Sequence, residues 1–223
     1  MGTGLILGDS LAFARPEHDV FIDNTWPYLI YESTGDFIVY RASGGAMSSS
    51  VLTEANQIKA YYHIENKPMP FDWCVVQVGI VDCAPRKIPK KLASLVRRFI
   101  PKGQQLIRNY NRSELFRKNM KPWISIGQYE ENMSSLNDVL RLMCKDIFFV
   151  EIAPPCHYLI DNLGSFSSDV KKYNDVLRRL NKEHFLTPFS DEKDYGSSLL
   201  PDGHHLTRKG HLDVANSIIN LMK

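Results

Sequence analysis

Short apolar runs alternate with longer amphipathic ones along the chain, the pattern of a parallel sheet covered by helices on both faces. Leu5 to Leu7 predict a first strand that ends at Gly8-Asp9-Ser10. Asn24 to Glu32 predicts a helix and Asp36 to Arg41 a second strand; Gly44-Gly45 then lead into a serine-rich helix start running towards Ile58. Trp73 to Val81 gives the strongest strand signal, too continuously apolar for an exposed edge. Asp146 to Ile152 predicts a fourth strand, stopped at Pro154-Pro155. A helix from about Asp169 to Glu183 sets Val170, Tyr173, Val176, Leu177 and Leu180 on one face. His184 to Phe189 reads as a short fifth strand, and a last helix from about Thr207 places Leu212, Ala215, Ile218, Ile219 and Met222 inward. The expected fold is a single α/β domain over residues 1–223, a three-layer sandwich whose mostly parallel five-stranded sheet has the flavodoxin-like strand order.

The stretch from Pro85 to Trp123 breaks the pattern as an irregular basic insertion carrying Lys87, Lys90, Lys91, Arg97, Arg98, Lys102, Arg108, Arg112, Arg117, Lys118 and Lys121. Leu92, Leu95, Val96 and Phe99 recur at helical spacing, so one reading is an amphipathic helix with a solvated basic face. The other is a lid that attracts an anionic substrate such as a sugar nucleotide or an acidic glycan. A formal net charge of +2 over 223 residues gives no ground for a nucleic-acid partner. No apolar run approaches the roughly 20 residues of a membrane span. The N-terminus has no basic n-region, so a cytoplasmic location is expected. Cys74, Cys83, Cys144 and Cys156 show no C-x-x-C spacing and read as reduced packing thiols, neither a zinc site nor a disulfide framework.

Candidate chemistry begins at the end of the first strand. In an open α/β sheet ligands bind beyond the carboxyl ends of the strands, so Ser10 places a hydroxyl in that crevice; an Asp-Ser pair there also serves as an ordinary helix cap. Asp202-Gly203-His204-His205 lies just before the last helix. A serine hydroxyl becomes a nucleophile only when a base takes its proton and a third group orients that base. A carboxylate three residues before a histidine can supply base and orienter from one short segment, although D-x-x-H also caps helices. Other readings carry less. Gly2-x-Gly4-x-x-x-Gly8 contains the strand that a dinucleotide loop would follow. His204 and His211 are expected to be solvent-facing or capping groups and not metal ligands. Asp9 and Asp82 could form a carboxylate pair, but at strand ends such groups more often bind backbone N–H groups.

Taken together, a serine after the first strand and a D-x-x-H before the last helix resemble the GDSL/SGNH hydrolase superfamily over nearly the whole chain. Gly8-Asp9-Ser10-Leu11 matches its first block, whose serine is the nucleophile. Gly44 or Gly45 matches the block whose glycine N–H helps form the oxyanion hole. Gly79-Ile80-Val81-Asp82 matches the third block, normally G-x-N-D, and Asp202 with His205 the last. The resemblance implies a triad of Ser10, Asp202 and His205 and an oxyanion hole using the N–H groups of Ser10 and of Gly44 or Gly45. It implies no metal and no organic cofactor.

One position departs from the family pattern. Val81 stands where the family has an asparagine that donates to the oxyanion, and losing one such donor typically costs about 10²–10³ in rate. Arg86, in Asp82-Cys83-Ala84-Pro85-Arg86, is the nearest charged candidate to replace it. The G-I-V-D-C-A-P-R form is similar to a variant among SGNH-like proteins linked to bacterial surface-polysaccharide biosynthesis. The expected function is therefore a serine esterase hydrolysing or transferring a short acyl group, acetyl in the first instance, on a small-molecule or glycan ester. The alternative is a catalytically weak protein of this fold that binds glycan or partner proteins. The sequence leaves the oligomeric state open.

Overall fold

The structure is a computed structural model that describes residues 1–64, 70–86, 88–103, 105–107, 120–154, 166–189 and 195–222. Its central sheet is built from β1 (Thr3–Gly8), β2 (Phe37–Ala42), β3 (Phe71–Gln77), β6 (Cys144–Val150) and β7 (Phe185–Leu186). These five strands run in the order β2-β1-β3-β6-β7 with every neighbouring pair parallel. β4 (Pro85–Arg86) and β5 (Lys121–Pro122) form a separate small antiparallel pair. The expected three-layer sheet and strand order are thus present.

Helices α1 (Trp26–Thr34) and α7 (Arg208–Met222) pack together on one face of the sheet; α2 (Ser48–Ile64), α5 (Ile126–Arg141) and α6 (Phe166–Leu180) pack together on the other. Burial on both faces explains why β1 and β3 read as unbroken apolar runs: Leu5, Ile6, Leu7, Cys74 and Val75 are wholly buried. β2 is an edge strand and exposes Phe37 and Tyr40. The register sets the site: Gly8 at the end of β1 pairs with Ala42 at the end of β2 and with Gln77 at the end of β3. The chain leaves all three strands at one level, so the segments beginning at Asp9, Ser43 and Val78 emerge side by side.

Several sequence expectations shift. The third strand stops at Gln77 and not at Val81, because Gly79 adopts φ +131° and the chain turns into the short helix α3 (Ile80–Cys83). A side chain at Gly79 would run into Ile152 and the Tyr129 hydroxyl, the latter 2.8 Å from an added Cβ. In α7 Ala215 and Ile218 are buried as expected and Ile219 and Met222 partly so, but Leu212 faces outward, and Gly210, His211 and Val214 complete the buried face. Helix α6 begins at Phe166, earlier than Asp169, and ends at Leu180.

Helix α5 escaped the sequence reading altogether, although Ser125 caps it by accepting from Gln128 N–H at 3.2 Å and it buries Tyr129, Met133, Leu136 and Leu140 completely. Within the basic insertion, α4 (Lys90–Phe99) is helical as expected. It buries Ala93, however, and leaves Leu92, Leu95 and Phe99 more than half exposed, so those residues are not its packing face. Cys74, Cys83 and Cys144 are buried free thiols. Pro155, Cys156, Lys87, Arg108, Arg112, Arg117 and Lys118 lie outside the described residues.

Candidate active site

The nucleophile candidate sits where β1 gives way to a single 3-10 turn, Ser10–Ala12. Asp9 caps that turn, its Oδ1 accepting from Leu11 N–H at 2.9 Å, and its own N–H donates to Gln77 O at 3.2 Å. Asp9 is wholly buried and its Oδ2 has no hydrogen-bond partner among the described residues. Burial pushes its pKa up to about 7; the Leu11 N–H opposes that rise and the charge of Asp82 adds to it. The cap fixes Ser10 as the first residue of the turn.

The segment carrying Asp202 and His205 is a closed loop. Leu199 and Leu206 pair across it as an antiparallel bridge, Leu200 N–H donates to His205 O at 2.7 Å, and Gly203, at φ +82°, turns the chain between them. Asp202 uses both oxygens: Oδ1 accepts from the His205 backbone N–H at 3.0 Å and Oδ2 lies 2.5 Å from His205 Nδ1. Half-burial pushes the Asp202 pKa up. The hydrogen bond from the His205 ring, the charge of His204 and the His205 N–H outweigh it and hold the carboxyl well below the usual carboxylate range. An ionised Asp202 fixes the Nδ1–H tautomer of His205, which turns Nε2 outward as an acceptor. Ser10 Oγ lies 3.2 Å from that Nε2, across 195 residues of sequence. Ser10, His205 and Asp202 are therefore brought into one hydrogen-bonded line.

A second donor, missed by the sequence reading, reaches the same nitrogen. Arg15 Nη2 lies 2.6 Å from His205 Nε2. Arg15 is held by a small loop in which its N–H donates to Val20 O at 2.7 Å and its carbonyl accepts from Val20 N–H at 3.1 Å. Only its lone charge, five residues after Ser10, distinguished it in the sequence.

The glycine segment follows β2. Among the described residues no hydrogen bond engages the backbone N–H of Ser10, Gly44 or Gly45. That segment is anchored from α3, after β3: Asp82 accepts from Ser48 N–H at 3.1 Å and from Ser48 Oγ at 2.7 Å, and Asn132 Nδ2 donates to Ser48 Oγ at 2.9 Å. Asp9 and Asp82 thus both bind backbone N–H groups. Val81 packs against the hydrophobic core and offers no donor. Arg86 stands with its guanidinium 5.3 Å from the Trp123 ring centre, and its charge is one of the influences that depress His204.

His204 and His211 differ in kind. His204 is half-exposed, its ring 4.1 Å centre to centre from that of His205; burial first, then the charge of His205, lowers its pKa. His211 is not solvent-facing. It is buried in α7 and caps α1, its Nδ1 accepting from Trp26 N–H at 3.2 Å. Burial, followed by the charge of Arg15, pushes His211 down to about 4. Donor atoms of Asp202, His204 and His205 converge within 4.8 Å, but Asp202 Oδ2 and His205 Nδ1 are already taken up by each other. An open groove of about 500 Å³ between α1 and β2, lined by Phe13, Tyr28, Tyr31, Phe37 and Tyr40 among others, adjoins the turn after Ser10.

No protein-family model and no curated protein sequence matches the chain. Solved structures do. A lipase/acylhydrolase from Enterococcus faecalis is similar at 12% identity and a TM-score of 0.64, covering 100% of this chain and 95% of its own. A member of the lipolytic G-D-S-L family from Veillonella parvula is similar at 10% identity and a TM-score of 0.61, covering 98% and 97%. An acetylxylan esterase from Geobacillus stearothermophilus is similar at 15% identity and a TM-score of 0.57, covering 98% and 93%. No helix among the described residues is long and apolar enough to cross a membrane. The likeness spans both chains almost end to end, and this chain has the three-layer α/β fold of the GDSL/SGNH hydrolases.

Proposed function

We propose that this protein is a serine ester hydrolase of the SGNH type that removes or moves a short acyl group, acetyl in the first instance, on a carbohydrate. The observation that carries the reading is the line from Ser10 Oγ through His205 to Asp202, with separations of 3.2 and 2.5 Å. In the proposed reaction Ser10 Oγ bonds to the ester carbonyl carbon while its proton passes to His205 Nε2. Asp202 stays ionised and stabilises the imidazolium. The carbonyl oxygen, now negative, is met by the N–H groups of Ser10 and of Gly44 or Gly45, with Arg86 as the donor that stands in for the family's asparagine. His205 returns its proton to the departing sugar oxygen as the ester C–O bond breaks. Water, or a second sugar hydroxyl, then attacks the acyl-serine by the same steps in reverse, which makes the outcome hydrolysis or transfer.

The acetyl-glycan preference is supported by an acetylxylan esterase among the proteins that share the fold. No metal or organic cofactor enters this scheme, and a cytoplasmic role in surface-polysaccharide biosynthesis is the setting we infer for it. Val81 favours a second reading, a weakly catalytic protein that binds glycans in the same crevice. Acetate release from acetylated xylo-oligosaccharides separates the two. Turnover by the wild type that is lost in Ser10→Ala supports the hydrolase, and glycan binding without acetate release supports the alternative.

A further inference from the structure

Two donors converge on His205 Nε2, Ser10 Oγ at 3.2 Å and Arg15 Nη2 at 2.6 Å. A neutral imidazole nitrogen has one lone pair in the ring plane, so both cannot use it fully. The shorter contact belongs to Arg15. In this arrangement the base is capped by a guanidinium, and Ser10 cannot be deprotonated well until Arg15 withdraws. Nor can a departing sugar oxygen approach Nε2 while Arg15 occupies that side.

The guanidinium itself is poorly neutralised. Its Nε is buried without a hydrogen-bond partner among the described residues. Among the described residues its carboxylate partner is the largely exposed Glu17, whose Oε1 is 4.0 Å from Nη1, a separation and exposure worth little. Asp202, the other acid at hand, has both oxygens engaged by His205. A cation held against Nε2 of the base, with its buried Nε unsatisfied among the described residues, matches an anion delivered by the substrate.

We propose that Arg15 is a specificity-determining residue that binds an anionic group, carboxylate or phosphate, on the sugar component of the ester, and that this binding uncaps His205. The inference rests on the hydrolase reading above and names its substrate class: O-acetylated acidic sugars in preference to neutral ones. An acidic substrate satisfies Arg15 as it draws it off Nε2. A neutral ester must displace Arg15 with no compensation.

The test uses matched pairs: an O-acetyl glucuronic acid against its methyl ester, and an O-acetyl glucose 6-phosphate against O-acetyl glucose. Wild type should show kcat/KM at least about tenfold higher on the charged member of one pair, the difference expected of one charge-assisted hydrogen bond; the pair that shows it identifies carboxylate or phosphate. In Arg15→Ala that ratio should fall to near one, with the neutral ester cleaved several-fold faster than by wild type. Arg15→Lys, which keeps the charge, should keep part of the preference. Equal loss on both members, or an unchanged ratio, overturns the proposal. Titrating non-ester glucuronate and glucose 6-phosphate while following the His205 ring by NMR gives a second readout. Shifts from either anion in wild type but not in Arg15→Ala support it, and their absence overturns it even if no variant cleaves any ester, an outcome that would remove the hydrolase reading alone.

Discussion

Asp82 receives both the backbone N–H and the hydroxyl of Ser48, the first residue of α2, tying the turn after β3 to the segment that carries Gly44 and Gly45. Both residues are buried, so the bond cannot be replaced by water. Asp82→Ala leaves the N–H and hydroxyl of Ser48 without their buried acceptor and should destabilise the protein by about 2 kcal/mol or more, since a buried polar group left unpaired costs its desolvation. It should also slow ester hydrolysis through movement of the glycine segment. Urea melts and kcat on p-nitrophenyl acetate measure the two effects; wild-type stability in the variant would contradict the anchoring role.

Asp9 gives a pH dependence of definite sign. Its carboxyl is held up to about 7 in the folded state by burial, whereas an unfolded aspartate titrates near 3.9. Between those values the folded chain binds the proton more tightly, so the Asp9 contribution to stability is present at low pH and lost as pH rises towards 7. Glu151, also pushed to about 7 by burial, acts in the same direction, so the comparison must be between variants. Asp9→Asn should gain stability over wild type at pH 8 by at least about 1 kcal/mol more than at pH 4.5. A pH-independent difference in chemical melts would remove this account of Asp9.

Gly79 holds the turn that ends β3. At φ +131°, with Ile152 and Tyr129 where a Cβ would go, Gly79→Ala combines a disfavoured backbone with overpacking. A loss of about 2 kcal/mol or more in thermal or urea unfolding is expected; a loss under half of that would mean the turn relaxes easily.

Arg86 and Val81 test the oxyanion hole as a pair. With Arg86 as the replacement donor, Arg86→Ala should lower kcat on p-nitrophenyl acetate by about 10²-fold. Adding Val81→Asn to that variant should restore much of it by returning a side-chain donor to the family's position. Arg86 also stands over Trp123, so a purely structural role would show as a lowered Tm with no rescue by asparagine.

The sequence carried most of the fold because its signals are local. Continuous apolar runs mark β1 and β3, which are buried on both faces, and the D-x-x-H spacing lets Asp202 reach both the ring and the backbone of His205 within one closed loop. What it could not show depends on long-range packing. Val78 to Val81 remain apolar past the end of β3, and only the fold reveals that Gly79 has no room for a side chain. Leu212 looks as buriable as Val214, but His211 takes the inward position because α1 needs a cap at Trp26. Helix α5 was legible in principle, since Ser125 and Gln128 have the spacing of a capped start. Arg15 was not legible, because a single arginine near a nucleophile has no pattern until the fold lays it against His205.

The central claim is that Ser10 is a nucleophile activated by His205. Treating wild type, Ser10→Ala, His205→Ala and Asp202→Ala with a fluorophosphonate probe tests it most directly, the labelled residue being located by peptide mass spectrometry. The account predicts a single adduct on Ser10 in wild type, none in Ser10→Ala, and labelling slowed by about 10³-fold or more in His205→Ala. An unlabelled wild type, or one labelled as fast without His205 as with it, would contradict the account.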